Sequence, residues 1–223
     1  MSSMRTRTLA TDYDGTLAEN GLVAAETIAA LERLKASGRR LVVVTGRQAA
    51  DLVAAFPRVD LADRVVAENG ATLYRPGTGG EVRLTRPVDE RLVAALREQR
   101  VEPLSVGRCV VATSEANAAT VVDAAKRLGL ELEVGLNKGA AMALPHGVDK
   151  GTGLAAALDD LGLSPEETVG VGDAENDVAF LRLCGRSAAV ANALATVQEG
   201  VDLELAAEDG AGVRELVELV LRS

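Results

Sequence analysis

Aromatic residues are scarce in this sequence: they make up 2% of the 223 residues, and tryptophan is absent. Basic residues are also in deficit, with 24 Lys and Arg against 33 Asp and Glu, for a net charge of −9. Nucleic-acid binding relies on a basic surface and, for single strands, on stacking aromatic rings. The composition therefore argues against a nucleic-acid partner and leaves Leu, Val and Ala to fill the interior.

Cysteine, histidine and long apolar runs are equally sparse. Cys109 and Cys184 are far apart and lack the spacing of a metal site, so we expect two reduced thiols. His146 is the single histidine, and we assign it no catalytic role. No apolar run reaches the length that spans a membrane, and the N-terminus does not resemble a signal peptide. These features predict a cytoplasmic protein without a membrane partner.

Short apolar runs alternate with helical patterns in the first 80 residues and again after residue 147. "RTLAT" and "RRLVVVTG" are typical of strands, and the second is apolar enough to be covered on both faces. Between them, Ile28, Leu31 and Leu34 recur at helical spacing. A β-α-β-α-β order implies a parallel sheet with right-handed crossovers. We predict an α/β fold with a doubly wound, mainly parallel, Rossmann-like sheet.

The middle of the chain has a different pattern. "GEVRLTRP" and "SVGRCVVATS" each predict one strand, "LELEVGLNKGAAMALP" predicts a hairpin, and two helical segments lie between them. This antiparallel character predicts a separate α+β module over residues 81–146. The module is inserted into a core that consists of residues 1–80 and 147–223.

Polar clusters follow the ends of three predicted parallel strands. Ligands of open α/β sheets bind beyond the carboxyl ends of the strands, so these clusters are expected to meet. The residues concerned are Asp12, Asp14, Thr45, Asp173, Asn176 and Asp177. Four carboxylates in one crevice cannot all stay ionised without a cation, and hard oxygen ligands favour Mg²⁺.

Two further features favour a phosphate beside this cation. Gly15 allows a tight turn whose amides can face an anion, and Lys150 precedes the helix start "GTGLAAAL". A carboxylate nucleophile, a divalent metal, a lysine and a threonine hydroxyl are the components of phosphoryl transfer through an aspartyl phosphate.

Simpler roles remain open for the individual residues. The pair Asp12 and Asp14 by itself also fits a solvated turn. Thr45 fits a helix cap, and Asp177 fits a first-turn acid favoured by the helix dipole. Lys150 by itself fits a surface lysine.

Four segments, "DYDGT", "VVTGR", "DKGTGL" and "GDAENDVAF", follow one another along the chain. In that order they resemble the four motifs of the haloacid dehalogenase-like phosphatases. The inserted module lies between the second and third motifs, as in the subclass with an α+β cap there. That subclass includes sugar-phosphate phosphatases and the archaeal type of phosphoglycolate phosphatase. Ala174 stands where glycine is common in the family.

The resemblance implies a role for each matching residue. Asp12 would be the nucleophile that becomes phosphorylated, and Asp14 would protonate the leaving oxygen and then activate water. Mg²⁺ would be held by Asp12, the Asp14 backbone carbonyl and Asp173, with Asp177 supporting these ligands or binding directly. Thr45 and Lys150 would act on the transferring phosphoryl group. The residues expected to bind substrate are Gly15, Thr45, Gly46, Asn69, Lys150 and Asn176.

Two positions keep open alternatives about substrate contact. Asn69, after the third strand, either contacts the substrate or shapes the turn before Gly70. Asn137 and Lys138 fit a hairpin tip. The sharper alternative is that this tip reads the part of the substrate that carries no phosphate.

The resemblance implies a Mg²⁺-dependent phosphatase that acts on a small phosphorylated metabolite. Phosphoglycolate, sugar phosphates and phosphoglycerate-type compounds all fit, and the sequence does not choose among them. The alternatives are a phosphomutase of the same superfamily and a catalytically idle binding protein on this fold.

Overall fold

The computed structural model describes residues 6–137 and 139–222 and places them around two β-sheets. Lys138 and the side chain of Asn137 therefore lie outside the described part, so the alternatives for the hairpin tip stay predictions. The strands are β1 (Thr8–Asp12), β2 (Arg40–Val44), β3 (Arg64–Ala67), β4 (Thr72–Arg75), β5 (Gly80–Arg83), β6 (Leu104–Val106), β7 (Val111–Ser114), β8 (Leu132–Asn137), β9 (Ala140–Pro145), β10 (Thr168–Gly172), β11 (Arg186–Ala189) and β12 (Leu203–Glu204). The helices are α1 (Ala25–Ala36), α2 (Ala49–Ala55), α3 (Glu90–Glu98), α4 (Ala118–Arg127), α5 (Lys150–Leu161), α6 (Val178–Leu183), α7 (Ala195–Gln198) and α8 (Asp209–Arg222).

The larger sheet has eight strands in the order β12-β11-β10-β1-β2-β3-β4-β5. All neighbours from β12 to β3 pair in parallel, and the two pairings at the other edge, β3 with β4 and β4 with β5, are antiparallel. β1 lies between β2 and β10, although β10 follows it by more than 150 residues. The prediction of a doubly wound, mainly parallel sheet is confirmed.

Helices cover both faces of the larger sheet, as the apolar run of β2 indicates. Leu41 and Val43 pack in one core cluster with residues of α1, α2 and α8. Val42 and Val44 pack in a second cluster with residues of α5, α6 and α7. Because successive side chains of a strand point to opposite faces, a strand buried on both faces must be apolar at every position.

The smaller sheet is antiparallel and has four strands in the order β6-β7-β9-β8. The helices α3 and α4 cover one face of it. Leu92 and Leu96 of α3 meet Val121 of α4 and Val111 of β7 in a separate apolar cluster. The smaller sheet therefore has its own core.

Two segments in the middle of the chain differ from the predicted strand arrangement. "GEVRLTRP" contains the strand β5, as predicted, but β5 pairs with β4 at the edge of the larger sheet and not within the smaller one. "SVGRCVVATS" was expected as one strand, but it forms β6 and β7, because the chain turns at Gly107, whose amide donates to the carbonyl of Val110. The module boundaries remain a proposal, and the pairing of β5 moves the first one to about residue 84.

Among the residues that the structure describes, no helix is both long enough and apolar enough to cross a membrane.

Candidate active site

A buried lysine lies between two carboxylates at the carboxyl end of the larger sheet. Lys150 Nζ is 2.5 Å from Asp12 Oδ1 and 2.5 Å from Asp177 Oδ1. The side chains of Lys150, Asp12 and Asp177 are 2%, 6% and 0% exposed. Charges buried this deeply are stable only when they are paired and hydrogen-bonded. The sequence positions 12, 150 and 177 therefore form one site.

The start of α5 explains how Lys150 comes to lie there. Asp149 caps the helix by accepting from the Thr152 amide at 2.8 Å, and its own amide donates to Thr152 Oγ1 at 3.0 Å. The helix also approaches β3 closely, because a Cβ atom at Gly153 would lie 2.4 Å from Val66 Cγ1. Glycine in "KGTGL" thus lets the helix start press against the sheet, which brings Lys150 over the end of β1.

The loop after β10 is held by its own carboxylates. Asp177 Oδ2 accepts from the amides of Asp173 and Ala174 at 2.9 and 3.0 Å, while Oδ1 faces the lysine. Asp173 Oδ1 accepts from Thr16 Oγ1 at 2.8 Å, which ties this loop to the loop after β1. Both oxygens of Asp177 are therefore engaged within the protein.

Asp12, Asp173 and Asp177 form a group that fits a divalent cation. One carboxylate oxygen from each of these buried residues lies within 4.8 Å of the others. These three carboxyl groups outnumber the single ammonium group that pairs with Asp12 and Asp177, so the cluster carries excess negative charge when all three are ionised. Oxygen donors of this kind suit Mg²⁺. The side chain of Asp14 is not in this group, which leaves only its backbone carbonyl as the ligand expected from the sequence.

Burial and the neighbouring charges shift the pKa of both members of the buried pair. Burial, and then the charge of Asp177, raise the pKa of Asp12 from 3.8 to about 8, although Lys150 opposes this shift. Burial alone lowers the pKa of Lys150, but the charges of Asp12 and Asp177 outweigh it, so that pKa is raised. Without a cation, the site thus keeps its ammonium group and favours a proton on Asp12.

The side chain of Asp14 is paired with Arg47, a residue to which the sequence motifs alone assign no role. Arg47 Nε and NH2 donate to Asp14 Oδ2 and Oδ1 at 2.7 and 2.6 Å. The guanidinium carbon lies 5.1 Å from the centre of the Tyr13 ring, a cation–π distance. A sequence signal existed only in the position of Arg47, directly after Thr45 and Gly46.

A cavity of about 220 Å³ opens above these residues. Its lining consists of Asp12, Asp14, Gly46, Arg47, Met142, Lys150, Asp173, Ala174 and Asn176. A larger cavity of about 480 Å³ lies between the two sheets and shares Met142, Lys150 and Asn176 with the first. Met142 comes from β9, so the smaller sheet contributes directly to the site.

The remaining predicted residues surround the smaller cavity without lining it. Thr45 is 1% exposed, and its hydroxyl accepts from the Arg47 amide at 3.1 Å, as a local cap does. Gly15 has a φ of 85°, and its amide donates to the Ala18 carbonyl at 3.0 Å inside the turn. The expected contacts of Thr45 and Gly15 with a phosphate therefore remain predictions.

Two asparagines connect the loop after β3 with the loop after β10. Asn176 Nδ2 donates to Asn69 Oδ1 at 3.1 Å, and the amide group of Asn69 contacts the sulfur of Met142. Within the described part of the chain, the buried Oδ1 of Asn176 has no hydrogen-bond partner. Asn69 lines the larger cavity and Asn176 lines both cavities, so the hydrogen bond between them lies where the two cavities meet.

The sequence matches a model of the haloacid dehalogenase-like hydrolases over residues 9–123 and 134–217. The chain belongs to this family. It is 29% identical to a phosphoglycolate phosphatase of Methanothermobacter thermautotrophicus over 95% of this chain and 97% of the relative. It is 33% identical to a phosphoglycolate phosphatase of Halorubrum lacusprofundi over 89% of this chain and 90% of that relative.

Solved structures with family-type folds superpose on nearly the whole chain. Thermoplasma acidophilum 0175 has a TM-score of 0.80 at 16% identity, with 97% of this chain and 99% of that chain covered. A sugar phosphatase of haloacid dehalogenase subclass IIB has a TM-score of 0.77 at 19% identity, with 96% and 98% covered. The resemblance drawn from the four motifs, and the fold that it implied, are confirmed.

Proposed function

We propose that this chain is a Mg²⁺-dependent phosphatase that hydrolyses a small phosphorylated metabolite through an aspartyl phosphate on Asp12. The observation that carries the proposal is the buried contact of Lys150 with Asp12 and Asp177 at the base of a cavity. Relatives that match over most of their length are named phosphoglycolate phosphatases, which supports the same reaction class.

In the first half-reaction, a carboxylate oxygen of Asp12 attacks phosphorus as the bond to the leaving oxygen breaks. Asp14 gives its proton to that oxygen, and the alcohol departs. In the second half-reaction, Asp14 takes a proton from water, whose oxygen attacks the phosphorus of the aspartyl phosphate. The products are inorganic phosphate and a regenerated Asp12 carboxylate.

The surrounding side chains supply charge and orientation. Lys150 offsets negative charge on Asp12 and on the transferring group from a buried position. Asp177 fixes the ammonium group, and Arg47 orients Asp14. Mg²⁺ held by Asp12, the Asp14 carbonyl and Asp173 would supply further positive charge for the phosphoryl oxygens. Because both oxygens of Asp177 are engaged, we assign it a supporting role beside these ligands.

The lining of the larger cavity favours a leaving group that is uncharged and bears hydroxyls over a leaving group that carries a carboxylate. Glu133 and Glu175 line it, and Lys150 is the only cation among its described lining residues. That lysine is already shared by two carboxylates. A sugar phosphate fits these features better than phosphoglycolate, the compound in the relatives' names.

The test is phosphate release from phosphoglycolate, hexose phosphates, phosphoglycerate and an aryl phosphate, each with Mg²⁺ and with EDTA. We expect Mg²⁺-dependent release, with a higher kcat/KM for a hexose phosphate than for phosphoglycolate. Asp12→Asn should be inactive, whereas Asp159→Asn, on the exposed side of α5, should match the wild type.

Three outcomes would count against parts of this proposal. A higher kcat/KM for phosphoglycolate would overturn the substrate preference alone. Isomerisation of a hexose phosphate without phosphate release would indicate a phosphomutase. No release from any compound, together with no rise of the melting temperature on adding Mg²⁺ and beryllofluoride, would indicate an idle binding protein.

A further inference from the structure

Glu68 is a buried carboxylate for which the proposed chemistry has no use. The residue is 2% exposed and follows β3 directly. Its Oε1 accepts from the Arg108 amide at 2.9 Å, and its Oε2 accepts from the amides of Cys109 and Val110 at 2.9 and 3.1 Å. Glu68, in the loop after β3 of the larger sheet, therefore accepts hydrogen bonds from three successive amides between β6 and β7 of the smaller sheet.

The shape and charge of this contact suit a carboxylate specifically. Backbone amides that point at one spot form an anion-binding concavity, and hydrogen bonds to an ionised acceptor are the strong ones. Gly107 completes the fit, because a Cβ atom there would lie 2.5 Å from Glu68 Oε2. Cys109 and Val110 also pack with Ala71 of the larger sheet's loop in a small apolar cluster.

The backbone of the same segment is tied to the active-site loop. The Glu68 amide donates to the Arg47 carbonyl at 2.9 Å, and the Asn69 amide donates to the Thr45 carbonyl at 3.0 Å. Glu68 and Asn69 have φ values of 49° and 52°, a left-handed conformation that is unfavourable for residues other than glycine. This backbone conformation is thus held in place by its surroundings.

A short path leads from the three amides to the cavity. β7 begins at Val111, directly after the last of these amides. In the ladder between β7 and β9, Ala112 is the partner of Met142, which lines both cavities. A shift of residues 108–110 relative to Glu68 would therefore move Met142, and with it one side of the cavity, relative to Thr45 and Arg47.

We propose that Glu68 is a positioning residue that fixes the smaller sheet over the active-site cavity. Its kinetic consequence rests on the proposed phosphatase function, whereas the mechanical contact can be tested without any substrate. The carboxylate acts through Met142 on the substrate's leaving group and does not touch the reacting atoms. Its loss should therefore weaken substrate binding more than it slows the chemical step.

The first test uses Glu68→Gln, which keeps the shape but turns an amide group toward backbone donors. Hydrogen exchange of residues 108–110 should become at least about tenfold faster, because the NH2 group of glutamine cannot accept hydrogen bonds from the amides that face it. The Cys109 thiol, 2% exposed in the wild type, should react faster with a disulfide reagent, with mass spectrometry separating it from Cys184. For an aryl phosphate, KM should rise about tenfold while kcat changes less than about threefold.

Two further variants make the result specific. Glu81→Gln removes the 3.3 Å ion pair between Glu81 and the Arg108 side chain but leaves the three amide contacts, so its exchange rates and kinetics should match the wild type. Gly107→Ala displaces the Glu68 carboxylate from the other side, so it should reproduce the effects of Glu68→Gln. If Glu68→Gln does not fold, Gly107→Ala serves as the test variant instead.

The outcomes test the contact of Glu68 with the smaller sheet separately from the hydrolysis reaction. Unchanged exchange and thiol labelling in both Glu68→Gln and Gly107→Ala would overturn the proposal. Faster exchange with unchanged KM, or a loss confined to kcat, would overturn the positioning role. If the wild type hydrolyses no substrate, the proposed function fails, and the exchange and labelling data still decide whether Glu68 holds the smaller sheet.

Discussion

Arg47 occupies both carboxylate oxygens of Asp14, with its Nε 2.7 Å from Oδ2 and its NH2 2.6 Å from Oδ1. The paired carboxylate is 46% exposed and lies outside the group formed by Asp12, Asp173 and Asp177. A bidentate pair of this kind fixes orientation as well as charge. For Asp14 to reach a leaving oxygen, one of the two hydrogen bonds must open.

Arg47→Lys should slow the hydrolysis of substrates with poor leaving groups most. Lysine keeps the charge but cannot hold both oxygens, so Asp14 loses its orientation. We expect kcat for an alkyl phosphate to fall about 100-fold, within the range for general acid catalysis, and kcat for p-nitrophenyl phosphate to fall much less. Arg58→Lys, at an exposed ion pair, is the control. Equal losses for both substrates would contradict an orienting role.

Asp12→Asn should make the metal-free protein more stable than the wild type as the pH rises. The pKa of Asp12 is about 8 in the folded protein and 3.8 as its ordinary value, so the folded state holds a proton that the unfolded state has lost. Wild-type stability therefore falls as the pH rises between these values, and asparagine removes that loss. In EDTA, the melting temperatures should be similar near pH 4 and favour the variant by about 5 °C at pH 8.

Mg²⁺ provides the matching control for this prediction. It should raise the melting temperature of the wild type but not that of Asp12→Asn, because the variant lacks one carboxylate ligand. Melting temperatures of the two proteins that differ by a constant amount from pH 4 to pH 8 in EDTA would show that Asp12 does not hold an extra proton in the folded state.

Lys150→Met should destabilise the protein strongly. The change leaves Asp12 and Asp177 buried without their shared cation, and breaking a buried pair costs about 3–5 kcal/mol. Urea denaturation in EDTA measures the free energy of unfolding, and Mg²⁺ should recover part of the loss. Lys126→Met, at an exposed position of α4, should stay close to the wild type. Stability equal to that of the wild type would mean that the ammonium group is dispensable.

Gly153→Ala should lower both stability and activity. The added methyl group would lie 2.4 Å from Val66 Cγ1 and 2.5 Å from the Gly70 Cα atom, so α5 must move away from the sheet. Overpacking of this kind costs about 1–3 kcal/mol. Because Lys150 begins the same helix, kcat should fall with it. Asp159→Ala, on the exposed side of α5, is the control, because it changes the same helix without creating a close contact.

The sequence predicted the larger sheet well because its strands have unambiguous patterns. The unbroken apolar run of β2 and the glycine-rich start of α5 each indicate one structure. The carboxyl ends of parallel strands lie at the same edge of a sheet, so the residues that follow them lie close together. This is why Asp12, Asp173 and Lys150 were expected together. Lys150 also contacts Asp177, and the choice between a supporting role and direct metal binding for Asp177 stays a prediction.

Other features cannot be predicted from a single sequence, because tertiary contacts determine them. β5 is a four-residue strand whose pattern, "GEVR", does not show which sheet it joins. The break between β6 and β7 depends on Glu68, 40 residues earlier in the chain. The pairing of Asp14 with Arg47 depends on side-chain direction, which spacing alone does not give. Expectations for Thr45 and Gly15 remain untested for the same reason.

The position of β1 has a consequence for how the chain matures during synthesis. One neighbour, β2, follows it soon, but the other, β10, is made only when residues 168–172 leave the ribosome. Until then the fully buried strand "TLATD" is an unprotected edge, and edges of that kind recruit other chains. A nascent or truncated product that ends before β10 should therefore aggregate or engage chaperones, and it cannot assemble the acidic cluster.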